Sequence, residues 1–129
     1  MEDILQQAAL EIIRVSQFIP FNLHVQKIGS LDTSSQYLYT DIFEADYIYI
    51  ITSISALCEG SGTPQIKIGI RDGSINFIYE SSSVGNAEDS VEYVGQLMCK
   101  ETDKIFAEFE SATAADTAHL FVNGYKIRR

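Results

Sequence analysis

The sequence predicts an all-β chain, an antiparallel β-sandwich or jelly roll of about eight strands with one N-terminal amphipathic helix. Three observations carry this. Short runs rich in Ile, Val, Tyr and Phe recur between Gly, Pro, Asp and Ser clusters roughly every 8 to 12 residues. Several runs alternate apolar and polar residues, the period of a half-buried strand. No strand alternates with a crossover helix, so a parallel sheet is not expected.

Composition sets the bounds. A chain of 129 residues with 46% hydrophobic content can bury one core. The expected division is an N-terminal helix at 1–17, serving as an anchor or packing arm, and a β-sandwich domain at 18–129. No apolar run reaches the roughly 18 residues that a membrane span requires. The N-terminus has neither a basic leader nor a long apolar stretch, so a protein made and kept in a cytosol fits best. A net charge of −9 makes broad nucleic-acid binding a poor fit.

In residues 2–17, Ile4, Leu5, Ala8, Ile12 and Val15 fall on one helical face. Glu2 and Asp3 suit the positive end of the helix dipole, and Arg14 suits the other end. That face packs on its own domain or on a neighbouring subunit. Pro20 closes the helical region. From Phe21 to Gln26, Phe21, Leu23 and Val25 alternate with Asn22, His24 and Gln26. GSLDTSSQ, residues 29–36, is a polar loop.

The longest apolar stretch, Tyr37 to Gly62, supplies two strands, near 37–43 and 46–58. In the second, Ile48, Ile50, Thr52, Ile54 and Ala56 share one face. Tyr47, Tyr49, Ile51 and Leu57 share the other. Apolar residues on both faces mark a central strand, or one covered by another chain. EGSGTP, residues 59–64, is a turn. The alternating run Gln65–Arg71 leads into Asp72–Gly73, a strong hairpin signal, and its partner is expected over 74–80. A flexible loop over 81–90 follows. Three further strands are expected at 91–99, 104–110 and 119–127, the last interrupted at Asn123–Gly124.

The chemistry search returns mostly absences. The chain has no nucleophile elbow, zinc-protease motif or phosphate loop. Gly60–Ser61–Gly62 lacks the lysine and helix of a phosphate loop and is better taken as a hairpin turn. His24 and His119, the two histidines, have no evident converging partners and are expected at the surface. Glu108 and Glu110 point the same way but are expected to be solvated. Asp103, Asp116, Glu88 and Asp89 lie in loops without calcium-ligand spacing. Cys58 and Cys99 match no zinc pattern; a disulfide between two strands is geometrically open, and two reduced, mostly buried thiols are the favoured reading. No catalytic, metal or cofactor site is therefore expected.

Tyr37, Tyr39, Tyr47 and Tyr49 cluster in sequence. Tyrosine serves interfaces and carbohydrate-stacking sites because it is large, stiff and amphipathic. It serves cross-strand packing as well.

Tyr39–Thr40, a turn containing acids, and then YIYIITSISALCEGSGTPQIKIGI resemble a pattern of small β-sandwich virion proteins of tailed bacteriophages. LMCKETDKI (97–105) and HLFVNGYKI (119–127) are similar to their later strand–turn–strand and closing strand. The resemblance spans about residues 36–127. Its layout also resembles tumour-necrosis-factor-like jelly rolls, which assemble as trimers. It implies a non-enzymatic virion structural protein, assembled in the host cytoplasm. Capsid decoration or cement is the leading role, with a neck, tail or fibre component next. The partners would be the major capsid protein or neck and tail proteins. A homo-oligomer is expected, with a trimer among the symmetries, and neither nucleic acid nor membrane is an expected partner. The alternative from another class is a carbohydrate-binding module. Candidate interface residues are Ile4, Leu5, Ala8, Ile12, Val15, Tyr37, Tyr39, Tyr47, Tyr49, Ile51 and Leu57.

Overall fold

The computed structural model describes residues 18–41, 43–86 and 88–128. The expected helix over 1–17 lies outside them. Among the described residues are eight strands: β1 (Phe18–Ile28), β2 (Ser35–Tyr39), β3 (Tyr47–Glu59), β4 (Gln65–Asp72), β5 (Ile75–Ser83), β6 (Ser90–Cys99), β7 (Asp103–Glu110) and β8 (Thr117–Arg128). They form two antiparallel four-stranded sheets. Sheet A has the order β1-β8-β3-β6, and sheet B the order β2-β7-β4-β5. This interleaving of early and late strands is the double Greek-key order of a jelly roll.

The core lies between the sheets. Ile54, Ala56, Cys58, Leu120 and Val122 of sheet A face Ile66, Ile68, Ile105, Ala107 and Phe109 of sheet B, all buried. Asp72 and Ile75 close the β4–β5 hairpin with Gly73 at φ 62°, as the Asp-Gly signal requires. The other turn expected to be a hairpin is not one. Residues 60–64 carry the chain from β3 in sheet A to β4 in sheet B.

Boundaries moved where a side chain or an edge intervenes. Pro20 does not end a helix here. It stands inside β1, an edge strand, where proline is tolerated. β2 stops at Tyr39 because the Thr40 hydroxyl accepts the Ile105 amide at 3.0 Å, in place of a backbone carbonyl. β5 runs on to Ser83, three residues into the expected loop.

The largest correction concerns β3. Ile51 pairs with Gly124 of β8, and Ser53 pairs with Asn123, so Thr52 is an extra residue, a β-bulge. A bulge reverses which side chains point inward. Tyr49 and Ile51 point into the core before it, and Ile54, Ala56 and Cys58 after it. Gly124 makes the bulge possible, because a Cβ there would collide with the Ile50 carbonyl oxygen. Tyr47, Tyr49, Ile51 and Leu57 therefore do not share an uncovered face.

Candidate interaction surfaces

The described candidate interface residues are dispersed by the fold. Ile51 is 0% exposed and Tyr49 is buried, so both are core residues. Tyr49 stacks on Phe43 with ring centroids 4.4 Å apart and meets Phe21 edge-on at 5.5 Å. Tyr47 is half-buried beneath the Lys126 ammonium, which lies 4.3 Å from its ring centroid. Leu57 is half-buried on the outer face of sheet A. Tyr37 and Tyr39 lie in the other sheet, stacked at 5.7 Å. The four tyrosines do not form one cluster, because β2 and β3 belong to opposite sheets. Ile4, Leu5, Ala8, Ile12 and Val15 lie outside the described residues.

The outer face of sheet B is polar and charged along β2, β7 and β4, whereas its edge strand β5 exposes Ile75, Phe77, Ile78 and Tyr79. Lys67 and Glu110 form an ion pair at 2.6 Å, and Glu108 accepts the Tyr37 hydroxyl at 2.9 Å and the Ser35 hydroxyl. The hydrogen bond to Glu108 is the main cause of the raised pKa of Tyr37. Glu108 and Glu110 are thus engaged in cross-strand pairs rather than standing free in solvent.

The outer face of sheet A divides into two halves. In the half around its middle and far rows, β1 and β8 bring the histidines together. His24 Nε2 lies 2.9 Å from His119 Nδ1, and His119 Nε2 lies 2.9 Å from Glu59 Oε2. His24 also stacks on Phe121 at 4.4 Å. This Glu–His–His array was not foreseen, because it depends on register. His24 lies opposite Phe121, and Gln26 opposite His119. Sequence distance conceals the diagonal contact.

In the other half, two successive rows across the strands are apolar. One row runs Phe18, Ile127, Ile48, and the next runs Pro20, Tyr125, Ile50, Met98. Phe18 and Tyr125 rings contact at 5.2 Å, and Met98 is 71% exposed. Val94, beside the second row, is 78% exposed. An antiparallel sheet with one solvated face normally places polar residues there. The exchange of parity at Thr52 is what puts Ile48 and Ile50, and not Tyr49 and Ile51, on this surface.

Two of the acids expected in loops, Asp116 and Asp103, are buried, and Asp103 is the first residue of β7. Asp116 accepts the Gly62 amide at 2.7 Å and the Ser61 amide at 3.3 Å, and Asp103 accepts the Lys100 amide at 3.0 Å. Both thiols are buried and unbridged. Burial, reinforced by Asp116, pushes Cys58 up to about 11. Burial, reinforced by Asp103, pushes Cys99 up to about 12. Among the described residues, no three His, Cys, Asp or Glu side chains converge as metal ligands. A cleft of about 320 Å³ between β1 and the β2–β3 loop is walled by Phe21, Leu23, Val25, Phe43 and Tyr49, with Asp41, Glu44 and Lys126 at its polar side.

No protein-family model matches the chain, and no curated protein matches its sequence. Its fold is found among solved structures. A chain of the acid-stable capsid structure of Helicobacter pylori bacteriophage KHP30 matches with a TM-score of 0.53 at 11% identity, over 86% of this chain and 94% of that one. A chain of the disulfide-linked pili that form Bacillus endospore appendages matches with a TM-score of 0.50 at 14% identity, over 87% and 88%. The cyanophage Pam1 capsid contains a chain at TM-score 0.49 and 13% identity, over 85% and 84%. At these identities the likeness is one of fold. The chain shares its sandwich architecture with a bacteriophage capsid structure and with the endospore-appendage pili.

Proposed function

We propose that this chain is a non-enzymatic structural subunit of a tailed-phage particle, acting as capsid decoration or cement through contacts between subunits. The observation that carries the reading is the apolar half of sheet A's outer face. The sandwich already has a complete core, so these two rows do not serve its interior. An exposed apolar surface on a folded domain is what a subunit interface uses. The likeness in fold to a bacteriophage capsid structure is in keeping with this. A disulfide-linked pilus, as in the Bacillus endospore appendages, is less well supported, because Cys58 and Cys99 are buried.

The test is incorporation into particles. Met98→Glu places a charge in the apolar rows at an exposed position, and should leave folding intact while removing the chain from purified particles. Deleting residues 1–17 should do the same if that segment anchors the subunit. Normal incorporation of Met98→Glu would remove the proposed surface from the account.

A further inference from the structure

We propose that Tyr39, Arg71 and Lys104, on the outer face of sheet B, bind the acidic group of a saccharide. The site stands apart from the apolar rows of sheet A and is a function beyond the structural role. Three observations lead to it.

The first is an unfavourable pairing that the sandwich keeps. Arg71 of β4 lies directly opposite Lys104 of β7. Like charges at opposed positions of a sheet repel. The chain has 18 Asp and Glu against 9 Lys and Arg, so acidic partners are not scarce. Lys67, on the same strand as Arg71, takes Glu110 at 2.6 Å. Among the described residues no ion pair joins a carboxylate to Arg71 or Lys104. Asp41, close to Tyr39 in the chain, walls the cleft beside β1 instead. The partner that holds the Arg71 guanidinium is neutral, Asn76 Oδ1 at 3.0 Å. Both charges therefore stay uncompensated, and an anion between them removes the repulsion.

The second is a hollow of about 110 Å³ lined by Tyr39, Arg71 and Lys104. Pockets that enclose a whole small molecule start at roughly 300 Å³, so this one takes a single acidic group. The guanidinium offers a planar fork to a carboxylate or sulfate, and the ammonium adds a point charge.

The third is the surface beside the hollow. Arg71 Cζ and Lys104 Nζ lie 5.4 Å and 6.0 Å from the Tyr39 ring centroid. The exposed Tyr37 ring stacks on Tyr39 at 5.7 Å, within 1° of parallel. Two parallel tyrosines give a stiff amphipathic surface for the C–H face of a sugar. Glu108, bonded to the Tyr37 hydroxyl, places a negative charge at the far end of that surface. A ligand acidic along its whole length, such as a nucleic acid, is repelled there. A sugar acidic at one end fits.

The test is a calorimetric titration of the full chain at low salt with three probes: lactose, lactose carrying one sulfate ester, and lactose ending in one sialic acid. Lactose should bind at least about tenfold more weakly than an acidic probe, the worth of a charge-assisted hydrogen bond. Binding of one acidic probe alone identifies the group as sulfate or carboxylate. Arg71→Gln and Lys104→Gln should each weaken that probe by about tenfold or more, and added salt should weaken it further. Lys104→Gln removes a repulsion, so its urea midpoint should not fall, as it would if Lys104 only held the fold. Four results would overturn the site. Neither acidic probe binds. Lactose binds as tightly as they do. Lys104→Gln leaves binding unchanged. Inorganic sulfate binds as tightly as the sulfated sugar, meaning that the tyrosines contribute nothing. If neither acidic probe binds and Lys104→Gln abolishes self-association by sedimentation, the occupant is a carboxylate of a second copy instead.

Discussion

The Asp116 carboxylate accepts the backbone N–H of Gly62 at 2.7 Å and so ties the β7–β8 connection to the passage between the sheets. The same side chain receives the Ser61 amide. Cβ atoms at Gly60 or Gly62 would run into it, and Gly60 has φ 136°, so both glycines are required by this buried carboxylate.

Asp116→Ala leaves two amides at this turn without their acceptor. The expected loss is about 1.5–3 kcal/mol, the range for hydrogen bonds to a charged group. Urea unfolding should show a lower midpoint with an unchanged slope. Asp116→Asn keeps one acceptor oxygen and should recover part of the loss. A midpoint equal to wild type for Asp116→Ala would show that the turn does not depend on the carboxylate.

The bulge at Thr52 makes a second prediction. Gly124→Ala drives a methyl group into the Ile50 carbonyl. Either the strands separate locally or the register shifts. The expected cost is about 1–3 kcal/mol, as for other overpacked sites. Amide exchange should rise at Ile50–Ser53 first. A Gly124→Ala protein as stable as wild type would mean that the close approach at the bulge is not needed.

The thiols make a third. Cys58 and Cys99 have folded-state pKa values raised to about 11 and about 12 from an ordinary 9.0. A raised value means the folded state holds its proton longer than the unfolded state does. Stability from this source is complete below pH 9 and is lost as pH rises through the folded values. Native protein at pH 8 should react slowly with a thiol reagent and release two equivalents on unfolding. Cys58→Ala together with Cys99→Ala should reduce the alkaline loss of stability. Rapid native labelling at pH 8 would contradict this burial.

The fold class was legible because its signals are local. Alternation in Gln65–Arg71, the Asp72–Gly73 turn and strand spacing belong to neighbouring residues. The misread features are those whose cause lies far along the chain. The run from Tyr47 to Cys58 looks like uninterrupted alternation, and the residue that permits its bulge, Gly124, sits in β8. The Asp116 cap and the His24–His119 contact likewise depend on which strands become neighbours. The bulge exchanges parity within β3, so Tyr49 and Ile51 face the core and Ile48 and Ile50 face outward.

Charge placement separates the two outer faces and makes a fourth prediction. Lys67→Ala breaks the ion pair with Glu110 on sheet B, a partly exposed pair worth at most about 1 kcal/mol. It should leave both stability and association nearly unchanged. Ile50→Glu on sheet A should abolish association. If Lys67→Ala disrupts association as strongly, the interface lies on sheet B.

The most direct measurement is the copy number of this chain in purified phage particles, counted by mass spectrometry against the major capsid protein. A structural subunit is predicted to be present in a fixed ratio to it and to sediment as an oligomer when purified alone. A chain that is monomeric at all concentrations and missing from every particle fraction would contradict the account.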